Sequence, residues 1–178
     1  MIRFGLQVTR PMNLDDLNSA IVSHIVSKQQ KKDLLLVLKD GQKQTQRSLY
    51  EKELIQTLSL FNIDITRMVA QSENIKYHTQ IAMKLLLDKK AFNCFCSEHT
   101  IQKEPQEALK KGIAYRYSGF CETISDETKF YCNAPFVVRI KGSKDIKGEM
   151  DSFVILDQDK TPTEIFTKSI DDMLYHID

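Results

Sequence analysis

All four cysteines of the chain fall between Cys94 and Cys132. Cys94 and Cys96 stand one residue apart, so two thiolates at a strand end can face a common point, and Cys121 and Cys132 follow in the same stretch. In a reducing compartment such clustering favours metal ligation over disulfides. Zinc takes four ligands in a tetrahedron, and two neighbouring thiolates supply a pair of them. His24, His78 and His176 are scattered over helical stretches and read as surface or helix-end residues. The basic runs Lys28–Lys32 and Lys110–Lys111 read as solvated faces.

The rest of the composition bounds what surrounds this cluster. At 178 residues the chain suits one domain carrying an insertion, with length for a real core. Apolar content of 42% with 28% charged residues excludes disordered and fibrous classes. A formal net charge of +1 gives no global attraction to nucleic acid or to a membrane surface. No apolar run reaches the length of a membrane span, and Met1-Ile2-Arg3-Phe4 opens a strand, so the expected location is the cytoplasm.

Elements that position the cysteines follow from periodicity. Ile2 to Thr9 alternates apolar and polar residues as a strand does. Asn13 to Ser27 carries Leu14, Leu17, Ile21 and Ile25 at helical spacing. Leu34-Leu35-Leu36-Val37-Leu38 is a continuous apolar run ending at Asp40-Gly41, which suits a strand buried on both faces. Strand, helix and buried strand make one βαβ unit of an α/β protein with a parallel sheet. Further helices are expected near 46–61, with Leu49, Leu54, Leu58 and Phe61 inward, and near 73–88, with Ile81, Leu85 and Leu86 inward. Segments 135–140 and 151–156 read as two strands, expected to form a hairpin. Thr161-Pro162-Thr163-Glu164 reads as a helix start, with Thr161 as N-cap and Glu164 closing a capping box, ahead of a helix packing Ile165, Ile170 and Leu174 or Met173.

Several stretches, taken in order, carry a family likeness. Thr9-Arg10 follows the first strand, Ala20 to Asp40 spans the helix and second strand, and Ala91-Phe92-Asn93-Cys94-Phe95-Cys96-Ser97 resembles A-Y-x-C-Y-C-S. Tyr115-Arg116-Tyr117-Ser118-Gly119-Phe120-Cys121 resembles P-R-Y-D-G-R-C, and Pro135 to Ile140 resembles P-x-V-V-R-F. Asp159-Lys160-Thr161-Pro162-Thr163 and Asp171-Asp172 resemble D-G-x-P-T-Y and V-D-D-x-x-M. The chain thus resembles the catalytic domain of glutamyl-tRNA synthetases, and is similar to glutamyl-queuosine tRNA synthetases. The resemblance implies an α/β, Rossmann-like sheet of the class I synthetase (HUP) type. It implies residues 1–90 and 133–178 as the catalytic-type domain, with 91–132 as an inserted zinc-binding-like subdomain.

Residues that do chemistry in that family differ here. Its H-I-G-H signature becomes Asn13-Leu14-Asp15-Asp16. A helix N-terminus attracts phosphate through free amides and its dipole, but Asn13 as N-cap with Asp15 and Asp16 in the first turn satisfies the amides internally and repels ATP. The R-I-E-D-T-D segment becomes Val37-Leu38-Lys39-Asp40-Gly41-Gln42, which places Lys39 where the family's glutamate reads an ammonium group. The family's tyrosine becomes Glu164 and its asparagine Lys168, and like-charge repulsion then opposes glutamate binding. Arg10 alone is retained, and is expected to pair with Asp171 or Asp172. The sequence reaches His176-Ile177-Asp178, short of V-I-R-G-E-D-H, and holds nothing like the K-M-S-K-S loop.

The resemblance implies a structural zinc held by Cys94, Cys96, Tyr117 and Cys121, with His99, Glu122 and Cys132 as alternatives for the fourth position. No ATP site and no catalytic residue are expected, and the vestigial positions are Arg10, Asn13, Asp16, Lys39, Glu164 and Lys168. The expected function is a non-catalytic binding or regulatory module, not an enzyme, with an unknown protein as partner. The alternative is a tRNA-binding or tRNA-modifying, amino-acid-transferring protein of the same lineage. No membrane partner is expected.

Overall fold

The computed structural model describes residues 1–40, 47–97, 103–145 and 148–177. In chain order its elements are β1 (Ile2–Gln7), α1 (Leu14–Gln30), β2 (Leu34–Lys39), α2 (Arg47–Leu60), β3 (Arg67–Ala70), α3 (Ile75–Leu87), β4 (Ala91–Cys94), α4 (Glu104–Lys110), α5 (Asp126–Tyr131), β5 (Val137–Ile140), β6 (Ser143–Asp145), β7 (Gly148–Met150), β8 (Val154–Leu156) and α6 (Glu164–Leu174). The fold is α/β, divided into two compact units: Met1–Lys76 with Thr167–Asp178, and Tyr77–Phe166. The second unit reaches past 91–132 on both sides, because the strand that carries Cys94 pairs with the strand from 137–140, which in turn pairs with the strand from 154–156.

In the first unit β1, β2 and β3 form a parallel sheet in that order, with Ile2 opposite Leu34 and Leu35 opposite Arg67. The unbroken apolar run in β2 is explained by burial on both faces. Leu34, Leu36 and Leu38 pack with Phe4, Leu6, Ala20, Leu54 and Leu58, while Leu35 and Val37 pack with Val69 and Tyr175. The inward stripe of α1 is Leu17, Ala20 and Ile21, the i, i+3, i+4 pattern of a helix on a sheet. Leu14 and Ile25 lie at the margins of that stripe and are exposed, as is Phe61 beyond α2.

Asp40 ends β2 fully buried and accepts the Ser72 amide at 2.9 Å and the Ser72 hydroxyl. Ser72 lies in a short 3-10 turn, Gln71–Asn74. That turn also holds the end of α6: Gln71 donates to Thr167 at 2.9 Å, and Asn74 donates to Asp171 at 3.0 Å and to the Tyr175 hydroxyl at 2.8 Å.

In the second unit β4, β5 and β8 form an antiparallel sheet, and β6 and β7 form a hairpin between β5 and β8. The strands expected at 135–140 and 151–156 do pair antiparallel. The expected helix start at Thr161 is not what forms. Pro162 bridges Leu156, Thr163 donates to the carbonyls of Ile155 and Val154, and α6 begins only at Glu164. Its buried stripe is therefore Phe166, Thr167, Ile170 and Asp171, and of the residues expected to pack, Ile165, Met173 and Leu174 are exposed.

Candidate functional site

The cysteine cluster lies within the second unit. β4 brings in Cys94, and the chain runs on two residues to Cys96. Gly119 adopts a left-handed φ of 78° that starts the 3-10 turn Phe120–Glu122 and turns Cys121 inward. A side chain at Gly119 would meet no neighbour, so its requirement for glycine is conformational. The sulfurs of Cys94, Cys96 and Cys121 all lie within 4.8 Å of one another, with Cys96 and Cys121 3.5 Å apart. The Tyr117 hydroxyl stands 3.4 Å from the sulfurs of both Cys94 and Cys96 and accepts the Cys121 amide at 3.1 Å.

Such spacings suit a tetrahedral metal. With Zn–S near 2.3 Å, the edge between two thiolates is about 3.8 Å, and between a thiolate and an oxygen about 3.5 Å. Three sulfurs and a phenol oxygen are a borderline-soft donor set that zinc accepts, so the residues present fit the ion. All three thiols are free. Burial pushes the Cys96 thiol up to about 12, and burial together with the neighbouring thiols raises the Tyr117 phenol. Burial opposes ionisation of Cys121 too, but its contacts with Tyr117 and the Phe95 amide (3.4 Å) outweigh it and lower the thiol.

Among the alternatives, Cys132 is exposed and outside the cluster, Glu122 faces Lys141 at 3.5 Å, and His99 lies outside the described residues. Around the cluster, the Phe92 ring stacks on Tyr117 at 6.1 Å between centroids, and Arg139 lies over the same ring at 4.2 Å.

The second candidate site, at the start of α1 in the first unit, is filled by its own residues. The Asn13 side chain accepts the Asp16 amide at 2.8 Å, and the Asp16 carboxylate accepts the Asn13 amide at 3.1 Å, closing the capping box. Arg10 then clamps Asp16, with Nη1 at 2.6 Å and Nη2 at 3.2 Å. The expected pairing of Arg10 with Asp171 or Asp172 is corrected: Asp16 is only one tight turn away, Asp171 receives Asn74, and Asp172 faces Arg3 at 3.0 Å. Lys39 lies at the end of β2, its aliphatic chain over Gly5, where an added Cβ would come within 3.0 Å of Cε. Lys168 and Glu164 are exposed on α6, and Glu164 belongs to the second unit. Of the positions expected to be vestigial, Arg10, Asn13 and Asp16 are therefore brought together.

Sequence reasoning missed Asp40, Ser72 and Arg139. A signal existed for two of them, since Asp40 directly follows an apolar strand and Arg139 interrupts one.

The description of the class I tRNA synthetase (E and Q) catalytic domain matches residues 14–178. The chain belongs to this family. Its curated relatives include a glutamate–tRNA ligase 1 of Campylobacter curvus, 42% identical over 98% of this chain and 44% of the relative. A glutamate–tRNA ligase 2 of Sulfurimonas denitrificans is 41% identical over 99% of this chain and 44% of the relative. The chain thus spans less than half the length of these ligases. Among solved structures, a glutamate tRNA ligase from Elizabethkingia meningosepticum superposes with a TM-score of 0.73 at 20% identity, over 98% of this chain and 42% of that one. At that identity the likeness establishes the fold, a class I synthetase α/β fold. Among the described residues no helix is long and apolar enough to cross a membrane.

Proposed function

We propose that this member of the glutamyl-tRNA synthetase catalytic-domain family does not activate glutamate, and serves as a binding or regulatory module with a structural metal centre. The observation that carries the reading is the closed start of α1. There one carboxylate caps the helix and neutralises Arg10. A phosphate approaching this helix end meets Asp15 and Asp16 and finds the Asp16 amide already held by Asn13, and both carboxylates oppose an anion. Lys39 supports the same reading, because an ammonium group placed beside it is repelled.

The test is glutamate-dependent ATP–pyrophosphate exchange by the full chain, with tRNA present, alongside calorimetric titration with ATP. Neither exchange nor ATP binding is expected. Glutamate-dependent exchange above background would overturn the proposal.

A second reading keeps tRNA as the partner. It draws on the cysteine region, where the four donors stand at ligand spacing although the first-helix site is filled. Gel retardation with tRNA against an unrelated RNA of equal length separates the two. Equal affinity for both removes tRNA and leaves a protein partner.

A further inference from the structure

Arg139 sits within β5 and is only 4% exposed. Its Nη1 donates to the Ser152 carbonyl at 3.0 Å, its guanidinium carbon lies 4.2 Å from the centroid of the Tyr117 ring, and Nε is buried without an acceptor. Among the described residues no carboxylate forms an ion pair with it. Three carboxylates of this unit have hydrogen-bond or ion-pair partners of their own. Asp151 accepts the amides of Tyr117 and Ser152, Glu122 faces Lys141, and Glu104 accepts the Tyr115 hydroxyl.

A guanidinium does not escape burial by losing its proton, and a charge buried to this degree is ordinarily paired. A cation–π contact offsets part of the desolvation cost but supplies no counter-charge. Among the described residues a place for that charge lies at the far end of the ring, where the Tyr117 hydroxyl meets the sulfurs of Cys94 and Cys96. As thiols and phenol the four donors are neutral. Ionised around one divalent cation, three thiolates and a phenolate carry a net charge of −2. Forming that set releases one proton from each donor to solvent, with no change of oxidation state.

We propose that Arg139 is the buried counter-charge of a metal centre at Cys94, Cys96, Cys121 and Tyr117, and that its packing over the ring holds Tyr117 in place as a ligand. The inference rests on the reading of the cluster as a metal centre. Arg139 is a positioning residue here: it acts through the Tyr117 ring and touches no metal.

The test uses the full chain, stripped by a chelator and titrated with Zn²⁺ alone against a competing chromophoric chelator. Proton release and the ultraviolet difference band of tyrosinate are read together. Wild type should bind with growth of the tyrosinate band. Arg139→Met should bind about 10–100-fold more weakly, the usual effect of losing an outer-shell partner, and lose most of the band. Arg139→Lys should keep the band at intermediate affinity. In a Tyr117→Phe background the cost of either Arg139 substitution should largely vanish. Circular dichroism of each metal-free variant reports folding. Should Arg139→Met not fold, Arg139→Lys with and without Tyr117→Phe carries the same comparison. Zinc binding by wild type without a tyrosinate band would overturn the inference, as would an Arg139 effect of equal size in both backgrounds. Wild type that binds no zinc would sink the metal reading itself, and this inference with it.

Discussion

Arg10 and Asp16 form a two-point ion pair across the start of α1, and the Asp16 oxygen closer to Arg10 also accepts the amide of Asn13. One carboxylate therefore serves the helix cap and the ion pair together. The pair cannot open toward a ligand without giving up the Asn13 amide, which ties the closed start of α1 to the stability of the fold.

The pH dependence of stability should carry this signature. The hydrogen bond from Arg10 is the largest influence on Asp16, and with the Asn13 amide it overcomes partial burial to hold the carboxyl below its ordinary range. A carboxyl depressed in the folded state adds stability that is full above its unfolded value and lost as pH falls through its folded value. The difference in melting temperature between wild type and Asp16→Asn should be constant at neutral pH and shrink below the ordinary carboxylate range. A difference that ignores pH would contradict the assignment.

Asn13→Ala removes the acceptor of the cap and should cost about 1 kcal/mol. For a chain of this size the melting temperature should fall by about 2–4 °C. Asn13→Ser, which keeps a capping oxygen, should behave nearly as wild type in the same thermal scan.

Ser72→Ala removes the hydroxyl donor from buried Asp40 while the Ser72 amide remains. A hydrogen bond to a charged group is worth about 1.5–3 kcal/mol. Chemical denaturation should show a lower midpoint with an unchanged slope. A midpoint equal to wild type would mean that the hydroxyl contributes nothing there.

Metal content separates the cysteines. Cys94→Ser and Cys121→Ser should purify with little bound zinc and melt earlier, and a chelator should lower the melting temperature of wild type. Cys132→Ser should match wild type in zinc content, since Cys132 is exposed and outside the cluster. Elemental analysis of the purified variants decides it.

Much of the first unit was legible because its signals are local. Leu34 to Leu38 read as a strand buried on both faces, and Asn13 read as a cap from its own neighbours. The cysteine spacing and Tyr117 likewise pointed to residues that the fold brings together. What escaped depends on partners distant in sequence or on competition between nearby ones. Arg10 had three aspartates to choose from, and the one in the adjoining turn was reached first. The Thr161 cap failed because Pro162 was drawn into a bridge with Leu156. Ile165 sits at an apolar position by type, yet the buried stripe of α6 follows Phe166 and Ile170. Arg139 read as part of a strand, and only the tertiary packing shows its charge over Tyr117.

Tyr175 closes the second face of the parallel sheet by packing on Leu35, Val37 and Val69, with Arg67 over its ring at 5.0 Å. During synthesis these strands leave the ribosome long before Tyr175 does, because the whole second unit is translated in between. At roughly 5–20 residues per second the delay is about 5–20 s. For that interval an apolar sheet face stands open on a nascent chain, which makes the half-made protein a natural client for ribosome-associated chaperones and a hazard on crowded polysomes.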